Sequence, residues 1–202
     1  MATRKNPSPD PDQPGRPGDA AVSSAEWLTN EGESCDVVLS SRVRLARNLA
    51  GHLFVHRASR DDRERALQTC RDWILGARLC DRIMWVDLHE SPQLERNLLV
   101  ERHLISKQLA KGKPATANGA MSPPSEEPRA VAVSIPDERL SVMVNEEDHL
   151  RLQILRAGLS LSDCWARASA ADDRLEAGLD YAFSKRLGYL TACPTNVGTG
   201  MR

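Results

Sequence analysis

No CxxC pair occurs among the five cysteines, which stand at positions 35, 70, 80, 164 and 193. An odd number without that spacing argues against a zinc site or a complete disulfide framework, and it fits a reducing cytoplasm. An excess of charge of one sign is also missing, since 27 Lys and Arg face 28 Asp and Glu for a net charge of −1. Nothing global then attracts nucleic acid or an anionic membrane, and any charge-based function must be local. No run of about 18 apolar residues is present to span a bilayer, and the positively charged start lacks the apolar stretch of a signal peptide. The expectation is a soluble, cytoplasmic protein. At 202 residues with 41% hydrophobic residues, the chain can bury one core and is too short for two large domains. No internal repeat is visible.

What is present is organised unevenly. Five of the 12 prolines fall in the first 20 residues, so residues 1–24 read as a disordered tail that cannot offset its ordering cost. From Asp36, DVVLSSRVRLARNL alternates, with Val43 and Leu45 on one side and Arg42 and Arg44 on the other, as a strand does. Residues 61–79 place Ala66, Leu67, Cys70, Trp73, Ile74 and Ala77 at helical spacing behind an acidic start. RIMWVDL, residues 82–88, reads as a strand, and residues 92–106 are ambiguous between a helix and a connecting segment. A small-residue, proline-rich insertion at about 110–129 reads as a flexible loop. AVAVSI and LSVMVN flank PDER as an antiparallel hairpin, and LRLQIL alternates again, placing Arg151 and Gln153 on one face. A long helix is expected from a Ser162 cap to about Leu187, with Trp165, Ala168, Leu175, Leu179 and Ala182 on its buried face and Gly188 as its stop. YLTA is a short strand into the last loop. The pattern is α+β, a mainly antiparallel sheet flanked by helices.

Three clusters hold chemistry. SSRVR offers two hydroxyls and two guanidinium groups on one strand, a match for polyphosphate oxygens or a solvated basic face on an edge strand. NEEDHLR stacks three carboxylates at a strand tip beside His149 and Arg151, where a general base, a Mg²⁺ ligand or a merely polar turn would sit. CPTNVGTGMR joins a thiol, hydroxyls and glycines that let backbone N–H groups approach an anion; its plain alternative is a helix-capping turn with an inert cysteine.

Together these stretches resemble the catalytic domain of the phosphagen (ATP:guanido) kinase family, from about Asp36 to the last residue. ERNLLVERHLIS and LGYLTACPTNVGTGMR are most similar to its protein-arginine branch. The resemblance implies a glutamine synthetase-like fold and phosphoryl transfer from ATP, with Mg²⁺, to a guanidinium nitrogen of a protein arginine. It assigns Ser40, Ser41, Arg42, Val43, Arg44, His103, Arg151 and Arg202 to nucleotide binding. It assigns Glu147 to holding and deprotonating the guanidinium, and Cys193 to the place beside that group; no protein side chain is assigned to metal. Protein substrates with exposed arginine are implied as partners, together with a zinc-binding activator and a chaperone-linked protease, and neither nucleic acid nor membrane. The family continues past the position of Arg202 with further strands, another phosphate-binding arginine stretch and a second catalytic acid. Residues 25–202 are therefore expected to be the N-terminal portion of the catalytic domain, with little or no turnover alone. A small-molecule guanidino kinase and a non-catalytic nucleotide or phosphoarginine-binding module are the alternative readings.

Overall fold

The structure is a computed structural model that describes residues 25–112, 116–117, 120–121 and 126–202. The expected tail at 1–24 lies outside the described residues, as does much of the expected loop at 110–129. Five strands form one sheet in the order β1, β7, β6, β5, β2: β1 (Ser40–Arg47), β2 (Ile83–Asp87), β5 (Ala130–Ser134), β6 (Leu140–Val144) and β7 (Leu150–Ala157). Every neighbouring pair in it is antiparallel, so the domain is α+β with a mainly antiparallel sheet, as its pattern of alternation predicts. Two short strands, β3 (Thr116–Ala117) and β4 (Ala120–Met121), pair only with each other.

The register explains how the sheet is covered. One row of facing residues, Leu45, Leu152, Val142, Ala132 and Trp85, is apolar along its whole width and buried. α1 (Arg60–Gly76) and α4 (Leu161–Glu176) pack over it, with Ala66, Leu67, Cys70 and Ile74 from one and Cys164, Ala168, Ala171 and Leu175 from the other. α1 begins in a reciprocal capping box between Ser59 and Asp62, which satisfies backbone donors that would otherwise lack partners at its first turn.

On the opposite face the rows change character from one edge to the other. One runs Ala46, Arg151, Met143, Val131, Val86 and the next runs Arg44, Gln153, Ser141, Val133, Met84. The apolar end of each row is sealed by α2 (Gln93–Glu101) and α3 (Lys107–Lys111), whose Leu99 and Leu109 join Leu104 and Ile105 against Met84, Val86, Val131, Val133 and Met143. The ambiguous segment 92–106 thus resolves into a helix over its first part and a turn, with His103 at φ 60°, over its second.

One expected element is corrected. α4 starts after Ser160, not Ser162, and ends at Glu176 rather than near Leu187. The next turn meets Trp73: a Cβ at Gly178 would lie 2.2 Å from that indole. Beyond it, the backbone pairs with the segment after β1, through Ala182 N–H to Asn48 O at 2.7 Å and Ala50 N–H to Asp180 O at 2.8 Å. That pairing buries Leu179 and Tyr181 and competes successfully with helix continuation. A two-stranded hairpin, β8 (Phe183–Ser184) with β9 (Gly188–Tyr189), follows. Trp165, expected on the buried face of α4, is 48% exposed.

Candidate functional site

The bare end of the sheet face is a cleft of about 470 Å³. β1 contributes Arg42 and Arg44, β7 contributes Arg151 and Gln153, and the turn after α2 contributes His103, Ile105 and Ser106. Glu146 and Glu147 of the β6–β7 tip and Arg202 complete the wall. The alternation of β1 places both of its guanidinium groups on this side because a strand's side chains repeat every two residues.

Arg202 arrives by backbone pairing. Its N–H donates to Arg44 O at 2.9 Å and its O accepts from Arg44 N–H at 3.0 Å, while Ala46 N–H donates to Gly200 O at 2.7 Å. The end of CPTNVGTGMR therefore lies along the outer edge of β1, and the row containing Arg44, Gln153 and Ser141 gains a fourth polar residue.

Four guanidinium groups thus share the cleft with two carboxylates, and burial, with repulsion from neighbouring guanidinium groups, lowers the proton affinity of Arg42 and Arg44. Partial burial, followed by Arg42, Arg151 and Arg202, brings Arg44 down from its ordinary value to about 10, against a smaller upward pull from Glu146. Arg42 is lowered by burial and then by Arg151. Four cations against two carboxylates leave an excess of positive charge in the cleft, suited to a ligand carrying several negative oxygens.

The three carboxylates of NEED have three different fates. Glu146 is buried and ties the wall together: its Oε2 accepts from Arg151 Nη1 at 2.8 Å and from Glu147 N–H at 2.9 Å, and its Oε1 from Ser106 Oγ at 2.8 Å. Glu147 turns into the cleft, and among the described residues none bonds its carboxylate. Asp148 turns inward, where its Oδ1 accepts from Asn48 Nδ2 and from Ala192 N–H, each at 2.6 Å. Burial pushes the Asp148 carboxyl above its ordinary value, with Glu147 and Glu146 adding to the rise and those two bonds opposing it. His149 is buried with Nδ1 accepting from Leu49 N–H at 3.1 Å and Nε2 3.1 Å from Leu53 O. Desolvation, then His52, lowers its imidazole to about 4, so it is a neutral structural residue.

The expected site residues divide accordingly. Arg42, Arg44, His103, Glu147, Arg151 and Arg202 meet in one cleft. Ser41 and Val43 face the other way: Ser41 is buried, with its Oγ donating to Gly158 O at 2.7 Å and accepting from Ser160 N–H at 2.9 Å, and Val43 belongs to the core. Their backbone runs in the ladder with β7, Ser41 opposite Arg156 and Val43 opposite Ile154, so neither residue lines the cleft. Ser40 begins the strand on the arginine side without lining the cleft. Cys193 is half-buried with its Sγ 2.9 Å from Thr195 Oγ1, and it too stands outside the cleft lining. It is linked to the acidic tip through its neighbour Ala192, held by Asp148. Glu146 and Asp148 belong to the acidic tip that the sequence marks, without distinct roles there, whereas Asn48, Ser106 and Gln153 are not marked as site residues. Of these three, only Gln153 carries a local signal, the face it shares with Arg151.

No group of three or more metal-ligating side chains occurs among the described residues. No helix among them is long and apolar enough to cross a membrane.

Residues 77–202 match the family described as ATP:guanido phosphotransferase, C-terminal catalytic domain. A protein-arginine kinase of Symbiobacterium thermophilum is 47% identical over 186 residues, covering 90% of this chain and 49% of the relative. Another, of Desulforamulus reducens, is 41% identical over 181 residues, covering 88% and 47%. The chain spans about half the length of the curated relatives it matches. Among solved structures, lombricine kinase superposes with a TM-score of 0.68 at 21% identity, over 96% of this chain and 51% of that one. The duplicated taurocyamine kinase of Schistosoma mansoni, with bound transition state analog components, gives 0.65 at 24% identity over 81% and 22%. The structural likeness establishes the fold, and the match over more than half of the chain establishes descent: this chain belongs to the ATP:guanido phosphotransferase family, through that family's C-terminal catalytic domain.

Proposed function

We propose that this chain forms the phosphate-binding side and the guanidinium base of an ATP-dependent protein-arginine kinase. The observation that carries the reading is the set of four guanidinium groups crowded around one cleft with a single uncommitted carboxylate, Glu147, at its wall. Relatives at 41% and 47% identity named protein-arginine kinase support a protein arginine, rather than a small guanidino compound, as acceptor.

Arg42, Arg44, Arg151 and Arg202 hold the nucleotide's phosphates and neutralise charge that builds on them during transfer. Ser40, Ser41 and Val43 act on that side only by carrying Arg42 and Arg44 on the same strand, and His103 lines the same wall. The lining, four guanidinium groups with Glu146 and Glu147, fits a magnesium nucleotide held through its phosphates. Mg²⁺ would offset phosphate charge there as a Lewis acid.

Glu147 accepts two N–H bonds of the substrate guanidinium, orients one nitrogen towards the γ-phosphorus and takes up its proton. That proton removal is the chemical obstacle, because a guanidinium has a pKa above about 12 and is no nucleophile while charged. The N–P bond then forms as the bond from the γ-phosphorus to the β-bridging oxygen breaks, and ADP leaves. Glu146 fixes Arg151 and the Glu147 backbone relative to each other. Cys193, whose Sγ stands outside the cleft lining, is given a place beside the substrate by the family resemblance alone, and no covalent intermediate on it is proposed.

A cytoplasmic setting belongs to the same proposal and is supported by five cysteines that form no disulfide. The zinc-binding activator and chaperone-linked protease implied by the resemblance belong to it as well. The test is transfer from ATP to an arginine-rich protein by the full-length enzyme in competition with free arginine. Acid-labile phosphate on the protein is expected; label on free arginine alone would return the small-guanidino reading, and nucleotide binding without transfer would return the binding module.

A further inference from the structure

Arg47 closes β1 on the face opposite Arg42 and Arg44, and the chemistry above does not use it. It is 4% exposed. Its Nε and Nη2 reach Asp172 Oδ2 on α4 at 3.2 and 2.6 Å. Its Nη1 donates to Ala46 O at 2.8 Å and to Thr199 O at 3.0 Å. Its guanidinium carbon lies 3.7 Å from the centroid of the Tyr189 ring on β9, a cation–π contact. One side chain therefore joins β1, α4, the β8–β9 hairpin and the last loop. The fit at the loop is close: a Cβ at Gly200, which has φ +66°, would fall 2.3 Å from Arg47 Nη1 and 2.5 Å from Ala46 O.

Otherwise the loop's end is held by backbone bonds: Arg202 pairs with Arg44, Ala46 N–H donates to Gly200 O, and Gly198 exchanges bonds with Tyr189 at 2.8 and 3.2 Å. Gly198 and Gly200 both occupy positive φ, and Val197 and Met201 are 38% and 45% exposed, so no apolar side chain anchors the approach to Arg202. Its start is fixed separately, by Asp148 on Ala192 and by Asn48 Nδ2 on Leu190 O at 3.0 Å. We infer that Arg47 is a positioning residue for phosphate binding: by gripping Thr199 and receiving Gly200 against its guanidinium, it sets where Arg202 enters the cleft. The inference rests on the nucleotide reading of that cleft. It differs from a role in packing α4 on the sheet, which the Asp172 pair alone would serve.

The test uses the 202-residue chain and two variants that disturb the grip differently. Gly200→Ala leaves the Arg47–Asp172 pair in place, and Arg47→Met with Asp172→Asn removes the pair without leaving a buried charge alone. Each is read by amide hydrogen exchange and by calorimetric titration with MgADP. Both variants are expected to expose the Ala46 amide at least about tenfold more while α1 and α4 amides stay protected, and to weaken MgADP about tenfold, the equivalent of one charge-assisted contact. Unchanged Ala46 protection in both variants overturns the inference whatever the nucleotide does. Raised exchange with wild-type MgADP affinity overturns it too, because Arg202 placement would then not matter. If the wild-type chain binds no MgADP while the variants lose loop protection, the cleft reading fails and the grip on the loop stands as structure only.

Discussion

The two ends of one sheet face obey the same alternation and come to opposite ends. At the β2–β5 end, Met84, Val86, Val131 and Val133 are sealed under α2 and α3. At the β1–β7 end, Arg44, Arg151 and Gln153 stand in the same geometric rows, with Arg42 two residues along β1 on the same face, and none of the described helices seals them. Covering an arginine end with apolar helices would bury charges without partners, at a cost of several kcal/mol for each. The helix pair therefore stops where the apolar residues stop, and its edge, at His103 and Ser106, becomes the cleft wall. One end supplies stability and the other keeps repulsion in reserve for a ligand.

The sharpest way to separate the ends is Glu147→Gln. In the full-length enzyme we expect phosphoryl transfer to arginine to fall by about 10²–10⁴-fold, the usual range for a general base, with MgADP affinity in calorimetry held within about twofold. Leu99→Ala, on the sealed end, should do the reverse. Truncating a fully buried leucine costs about 2–5 kcal/mol in chemical denaturation, while the folded fraction keeps its nucleotide affinity; a collapse of affinity would show that the ends are not separable.

At the tip between them, His149 makes stability depend on pH. The folded state keeps its imidazole neutral down to about 4, whereas the unfolded chain protonates near 6.5. Unfolding therefore takes up a proton throughout that window, so stability is full above about pH 6.5 and falls as pH drops, levelling off below about pH 4. The contribution is on the order of 3 kcal/mol. Asp148, whose carboxyl is raised, acts in the opposite direction at acid pH, so the quantity to measure is the difference between wild type and His149→Gln across the window. Smallest is Arg44→Ala: about 10–100-fold weaker MgADP binding, as for loss of a charged hydrogen bond, with a Tm in thermal denaturation that is unchanged or higher because repulsion in the empty cleft is relieved. A clear fall in Tm would mean that the arginines support the fold.

Much of this division can be read along the chain. In SSRVRLAR and LRLQIL, the period of two alone separates Val43 and Leu45 from Arg42 and Arg44, and Leu152 from Arg151 and Gln153. The same period also places Ser41 and Val43 away from Arg42, so the whole SSRVR stretch could not present its side chains to one ligand. What stayed hidden is long-range. Asp148 meets Asn48 across 100 residues and Arg47 meets Thr199 across 152, distances over which no periodicity reports. The end of α4 is hidden for the same reason: its apolar spacing continues, and the Trp73 ring against Gly178 together with backbone pairing to Asn48 and Ala50 ends it. Cys193 shows a third limit, since the loop that carries it is legible as a motif while its position outside the cleft depends on the tether from Asp148 to Ala192.

If the crowded guanidinium groups hold a nucleotide's phosphates, titration of MgADP into this chain and into an Arg44→Ala, Arg151→Ala double variant at several salt concentrations will show it. Binding by the wild-type chain should weaken with salt, and the folded double variant should lose both the affinity and much of the salt dependence. Absence of wild-type binding, or equal binding by the double variant, would contradict that role for the cleft.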